Sequence, residues 1–141
     1  MSAGSSVAVA ATFLWLGMVA AISFLEAPLK FSAPNVTLQI GLGIGRLVFR
    51  ALNVAELVLV VVIAVAFAVS PPPVAVIVAF VIAVAALACQ LLAVRPRLNR
   101  RSDRVLAGLN APRSRGHYVY VGFEVVKATA LAVSGILLLS S

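Results

Sequence analysis

The chain has 141 residues, of which 63% are hydrophobic and only 11% are charged, and its formal net charge is +7. Soluble domains are about half apolar, so this composition excludes an ordinary soluble domain and indicates an integral membrane protein. The single cysteine, Cys89, excludes an intrachain disulfide framework and a cysteine-rich zinc or redox motif.

The first apolar segment, residues 7–27, has about the length that crosses a bilayer as a helix. Residues 1–6 carry no positive side chain, so we expect a retained helix and not a signal peptide. Pro28 is expected to end or kink this helix. The following piece, residues 30–45, contains Pro34, Asn35 and three glycines, and it is expected to form a turn or an interfacial loop.

The remaining chain contains three further predicted spans. The second covers residues 47–70, and three consecutive prolines then separate it from the third, residues 74–94. Because this connection is so short, the two helices should be antiparallel neighbours. An arginine-rich loop is expected at 95–116, and the fourth span covers 117–139. The predicted fold is therefore all-α: one integral membrane bundle of four antiparallel transmembrane helices.

Basic residues indicate how this bundle is oriented. Positive charges follow the first span and, as seven arginines between 95 and 115, the third span, whereas the triple-proline turn has none. Loops 28–46 and 95–116 should therefore be cytoplasmic, with both termini outside the cell membrane. The arginines lack interleaved aromatic residues, so we expect them to contact anionic membrane lipids and not nucleic acid.

Polar residues inside the predicted spans are the most informative feature. Of the four carboxylates, three, Glu26, Glu56 and Glu124, lie in spans, where a charge is costly without a partner. Polar residues follow one another at the same spacings along the second and fourth spans. This places Glu56 and Lys127 at a similar depth, about 15 Å from the cytoplasmic ends at 1.5 Å per residue. This predicts a Glu56–Lys127 ion pair near the midplane and places Glu124 level with Asn53. At the cytoplasmic ends of the helices it is expected to bring together Arg46, Arg50, Glu26 and His117.

The candidate polar cluster combines residues from all four spans: Glu26, Arg46, Arg50, Asn53, Glu56, Gln90, His117, Tyr120, Glu124 and Lys127. It has three interpretations. The charges could pair only to fix helix register, or they could bind or translocate a small polar or ionic substrate. The third is a metal site, formed by Glu26, Glu56, Glu124 and His117, which the nearby cations disfavour. No catalytic triad can be assembled, and no cofactor is predicted.

Five short motifs occur along the chain in this order: Leu14-Trp15-Leu16-Gly17, Ala27-Pro28, Gly45-Arg46-Leu47-Val48-Phe49, Pro96-Arg97-Leu98-Asn99 and Arg115-Gly116-His117. In this order the chain resembles the transmembrane-protein-205-like family of small four-helix membrane proteins. The resemblance implies four membrane helices and no particular activity. The fourth helix departs from the family, which tends to have Ser and Asn after the His.

The expected function is binding or transport of a small polar or ionic substrate, with a homodimer as a plausible assembly. A second hypothesis is a non-catalytic accessory subunit or assembly factor of a larger membrane complex. A third is a lipid-acting membrane enzyme that uses His117 or Glu124 as acid or base. Close helix packing is expected at four small residues, Gly17, Ala21, Gly122 and Gly135.

Overall fold

Four long helices make up the chain. The computed structural model describes residues 1–108 and 115–141, the side chains of 115–117 excepted. We name the helices α1 (Ala3–Ser32), α2 (Leu38–Val69), α3 (Val74–Leu106) and α4 (Arg115–Ser140). All four are long and apolar enough to cross a membrane, and the described residues contain no strand. The all-helical prediction with four candidate spans is therefore confirmed.

Helices α1 and α3 each contain a π-helical segment. These segments are Ala20–Glu26 in α1 and Gln90–Val94 in α3, and each is followed by a single residue and then a proline, Pro28 or Pro96. Proline has no N–H and its ring pushes against the carbonyl four residues earlier, so the preceding turn widens. The helix consequently continues through both prolines instead of ending there.

The predicted interfacial loop is wrong over residues 38–45, because α2 begins nine residues before the predicted span. Thr37 caps the helix, since its hydroxyl oxygen accepts the Ile40 N–H at 3.1 Å. The glycines that suggested a loop serve another purpose. A Cβ at Gly41 would collide with the Phe31 ring, and one at Gly45 would approach Lys30 Nζ to 2.9 Å. Their missing side chains let the end of α1 lie against α2.

The predicted arginine-rich loop is also wrong over residues 95–106, where α3 continues as a helix. The buried side of this extension is formed by Ser102 and Val105, in line with Val94 just before it, and its other face exposes Arg97 and Arg104. Spacings of eight and three residues on the buried side and of seven on the exposed side are helical, but the high arginine content hides them from a prediction based on hydropathy. The extension packs against the first part of α2.

The helices pack with their most extensive contacts between α3 and α4, α1 and α2, and α1 and α4. Trp15, Ile63, Leu87 and Leu131, one from each helix, are at most 2% exposed and form the centre of the apolar core. A smaller apolar cluster likewise takes one residue from each helix: Ala8, Ala66, Val76 and Leu138. Phe67 and Phe80 make an edge-to-face contact between α2 and α3.

Of the four small residues expected at close helix contacts, only Gly135 is at one. A Cβ there would meet the Phe13 ring of α1 at 2.6 Å. Gly17, Ala21 and Gly122 are exposed, and a Cβ at either of these two glycines would touch nothing within 4 Å. A small residue permits close approach, but its position around the helix decides whether a neighbour is present.

Candidate functional site

Lys127 of α4 is the centre of a fully buried charged cluster. Its Nζ lies 2.6 Å from Glu56 Oε2 of α2 and 2.5 Å from Glu124 Oε1, one turn earlier on α4. The same nitrogen donates to Gln90 Oε1 of α3 at 2.8 Å. An ammonium has three N–H donors, so all three have an acceptor. The predicted Glu56–Lys127 ion pair is present, and Glu124 shares its cation.

Further donors surround the two carboxylates. Trp15 Nε1 of α1 donates to Glu56 Oε2 at 2.7 Å, and Gln90 Nε2 donates to Glu124 Oε1 at 2.7 Å. The Ser23 hydroxyl of α1 donates to Glu124 Oε2. Glu56 Oε1 is buried and has no hydrogen-bond partner among the described residues. Two carboxylates thus share one ammonium, and Ser23 donates to one of the two oxygen atoms that the ammonium does not contact.

The π-helical segments supply two of these neutral groups. Ser23 lies in the segment of α1 and Gln90 begins the segment of α3, and both contact Glu124. A π turn inserts an extra residue relative to an α turn, which rotates the side chains on either side of it relative to each other. The prolines that widen these turns therefore help to determine which residues face Glu124.

A cavity of about 410 Å³ lies beside this cluster, between the end of α1, the beginning of α2, the extension of α3 and the beginning of α4. Glu124 and Ser23 form part of its wall, so the buried cluster borders the cavity, although Glu124 itself is only 1% exposed. Phe31, Phe49 and Leu98 contribute apolar wall. Four cationic side chains also line it: Lys30, Arg46, Arg95 and Arg101.

Arg95 of α3 is held between two aromatic rings. Its guanidinium carbon is 4.9 Å from the centre of the Phe49 ring and 4.6 Å from that of Tyr120. Its Nη2 also donates to the Tyr120 hydroxyl at 2.7 Å, while its buried Nε has no hydrogen-bond partner in the part of the chain that the structure describes. The rings themselves pack edge to face at 5.7 Å. Arg95 is consequently oriented by neutral groups and not by a carboxylate.

Two further ion pairs lie around the cavity. Arg46 of α2 pairs with Asp103 on the extension of α3, and Asp103 is 62% exposed. Lys30 Nζ is 3.9 Å from Glu26 Oε2, one turn earlier on α1. Gln39 of α2 also donates to the backbone oxygen of Leu106 at 2.8 Å. The Arg46–Asp103 and Gln39–Leu106 contacts connect the beginning of α2 to the end of α3.

The structure brings together part of the predicted cluster. Glu56, Gln90, Glu124 and Lys127 form the buried network, and Tyr120 accepts from Gln90 Nε2 at 3.3 Å through its backbone oxygen. The other predicted residues are elsewhere or outside the described side chains: Glu26, Arg46, Arg50, Asn53 and His117.

The separated residues have identifiable positions. Arg50 and Asn53 face a second, smaller hollow of about 230 Å³ that Arg46 and Arg95 also line, so Asn53 does not meet Glu124 in the buried network. Glu26 pairs with Lys30 instead of joining Arg50. His117 was expected among the cytoplasmic charges, but its side chain lies outside the described part of the structure.

The three described members of the disfavoured metal set, Glu26, Glu56 and Glu124, do not all come together. Glu56 and Glu124 meet across the Lys127 ammonium, whereas Glu26 pairs with Lys30. Across the described residues, no group of three or more His, Cys, Asp or Glu side chains could hold a metal ion. The positive charge between the buried carboxylates is therefore supplied by a lysine.

Three site residues were missed by the sequence analysis: Trp15, Ser23 and Arg95. Trp15 is the chain's only tryptophan and lies within an apolar span, where its indole N–H needs an acceptor. That requirement could have predicted, from the sequence alone, that Trp15 pairs with a buried carboxylate. Arg95 was grouped with the loop arginines, and only the helical continuation reveals its contacts with Phe49 and Tyr120.

No protein-family model, no curated protein and no solved structure matches the chain. Any function must therefore be argued from the geometry of the site itself.

Proposed function

We propose that this protein is a multi-pass membrane protein that binds, and moves across the membrane, a small polar or ionic solute. The observation that carries the proposal is the cavity of about 410 Å³ whose wall includes Glu124, a carboxylate of the buried ion cluster. Its size is within the range of small-molecule sites, roughly 300–1,000 Å³. Ionisable groups inside membrane spans commonly mark substrate or ion pathways.

Register fixing alone does not account for this arrangement. An ion pair between Glu56 and Lys127 would suffice to join α2 to α4, and the remaining interface could be apolar. The chain instead adds a second carboxylate, Glu124, and places it in the wall of a cavity that cationic side chains also line. Polar groups around an open volume favour a role in contacting a ligand.

In this proposal the four helices run antiparallel, with the cavity at the cytoplasmic side of the cell membrane. One contact and one charge distribution support the topology. The Ser2 hydroxyl at the beginning of α1 donates to the Ser70 hydroxyl at the end of α2 at 2.9 Å. The basic residues Lys30, Arg46, Arg95 and Arg101 all surround the cavity at the other ends of their helices, consistent with cytoplasmic enrichment of basic residues.

Transport can be tested with purified protein in liposomes by recording solute-induced currents on a solid-supported membrane. The panel should contain small carboxylates, alkylammonium ions and inorganic ions. We expect a saturable current for at least one class, lost in Ala27→Phe, because Ala27 lines the cavity and a ring would fill it. The matched control is Ala21→Phe, which adds the same ring at an exposed position of α1 outside the cavity wall.

Other outcomes would replace the proposal. Absence of any saturable current or binding, together with stoichiometric co-purification of another membrane polypeptide, would favour the accessory-subunit hypothesis. Turnover of a lipid that disappears in Glu124→Gln would favour the membrane enzyme. The resemblance to the transmembrane-protein-205-like family stays a prediction, and so does a homodimer.

A further inference from the structure

The charges around the cavity are unequally balanced. Arg46 is paired with Asp103, Lys30 lies 3.9 Å from Glu26 Oε2, and Glu124 shares the ammonium of Lys127. Arg95 is the exception: within the described part of the chain, no carboxylate lies within 4 Å of its guanidinium. The cavity wall therefore contains a half-buried positive charge that the surrounding protein orients but does not neutralise.

The contacts of Arg95 leave it able to accept an anion. One nitrogen donates to the Tyr120 hydroxyl, and the two aromatic rings hold the plane of the guanidinium without using its other N–H groups. Among the described residues its buried Nε has no hydrogen-bond partner, which is a costly state for a charged donor. A guanidinium presents five N–H donors in a planar fork that matches a carboxylate or phosphate.

From this geometry we infer that the solute is a small organic anion, whose carboxylate or phosphate pairs with Arg95 while its apolar part lies against Phe31, Phe49 and Leu98. This inference rests on the proposed binding function and specifies its substrate class. The three apolar residues line the same cavity as Arg95. Arg101 brings a second guanidinium to the wall, which further favours negative charge.

A cationic solute fits this site less well. Among the described residues that line the cavity, Glu124 is the one carboxylate, and its two oxygens already contact Lys127, Gln90 and Ser23. A cation would have to compete with Lys127 for that charge and would also approach Arg95 without a compensating anion. An anion instead gains an unpaired guanidinium and leaves the buried cluster intact.

The test measures binding to the full-length protein in phosphatidylcholine nanodiscs by isothermal titration calorimetry. The probes are benzoate, benzylamine and benzyl alcohol, which share a ring and differ in the charge of their polar group. We expect benzoate to bind at least tenfold more tightly than either of the others. Arg95→Gln should weaken benzoate binding at least tenfold, whereas Arg97→Gln should leave it within twofold. Arg97 is exposed two residues away and does not line the cavity.

Arg95→Lys and Ala27→Phe keep the test decisive if Arg95→Gln fails to fold. The lysine keeps the charge without the planar fork, so benzoate binding should weaken by less than in the glutamine variant. The phenylalanine should abolish binding while Arg95 remains. Thermal unfolding of each variant in the same nanodiscs separates loss of the fold from loss of the site.

The same titrations identify the source of the anion and separate the two proposals. Loss of benzoate binding in nanodiscs containing phosphatidylglycerol would indicate that an anionic lipid occupies the site, whereas unchanged binding would indicate a water-soluble anion. Stronger binding of benzylamine than of benzoate would overturn the anion inference and leave solute binding standing. Absence of binding by all three probes, with no solute active in the current recordings, would overturn both.

Discussion

The buried cluster makes a quantitative prediction about Glu56 and Lys127. Lys127→Met keeps a long unbranched side chain but removes an ammonium that lies 2.5–2.8 Å from three acceptors. Two buried carboxylates would then lack any counterion. Breaking a buried ion pair from one side costs about 3–5 kcal/mol, and we expect this variant to lose that much stability.

Glu56→Gln should be milder, because it leaves one carboxylate, Glu124, for one ammonium. The amide oxygen can still accept from Trp15 and Lys127, so we expect a loss of about 1 kcal/mol. At 2.6 Å the Coulomb attraction of the Glu56–Lys127 pair is about 6 kcal/mol for an effective dielectric constant of 20. Desolvation opposes this attraction and leaves only part of it as net coupling. The double variant should therefore lose about 1–3 kcal/mol less stability than the two single variants lose together.

A double-mutant cycle measures this coupling by reversible unfolding of the protein in mixed detergent–lipid micelles. A control cycle combines Lys127→Met with Asp103→Asn, whose partner Arg46 is ten residues before Glu56 on α2. Ten helical residues span about 15 Å, so these losses should add within about 0.5 kcal/mol. If the losses in the Glu56–Lys127 cycle are equally additive, the two side chains are not energetically coupled and the ion pair does not stabilise the protein.

Two further predictions concern helix contacts outside the central pair. Trp15→Phe keeps an apolar ring but removes the N–H that donates to Glu56 Oε2. We expect thermal unfolding to reveal a loss of stability of about 2 kcal/mol. An unchanged melting temperature would contradict this role of Trp15. Gly135→Leu should cost about 1–3 kcal/mol because its Cβ would meet the Phe13 ring, whereas Gly122→Leu on the same helix faces open space and should change stability by less than about 0.5 kcal/mol. Equal losses in the two glycine variants would show that the contact with Phe13 is not responsible.

Only part of the candidate site follows from the sequence. Glu56 and Lys127 lie equally many residues from the cytoplasmic ends of their helices, and this predicts their contact, because in a regular helix an equal number of residues corresponds to an equal depth. The same argument fails for Asn53 and Glu124, since equal depth does not fix the direction in which a side chain points. The roles of Ser23 and Gln90 depend on π turns, which shift the helical register in a way that regular periodicity does not describe.

The sequence by itself determined that the chain forms four long apolar helices, because the hydrophobicity of a segment is a sum over its own residues. It also determined that the charges inside those helices need partners. Only the tertiary structure decided the partners: Lys127 between two carboxylates, and Arg95 beside a cavity between two aromatic rings. The physical reason is that partner choice depends on the rotation and spacing of neighbouring helices, which arise from side-chain packing between segments distant in sequence.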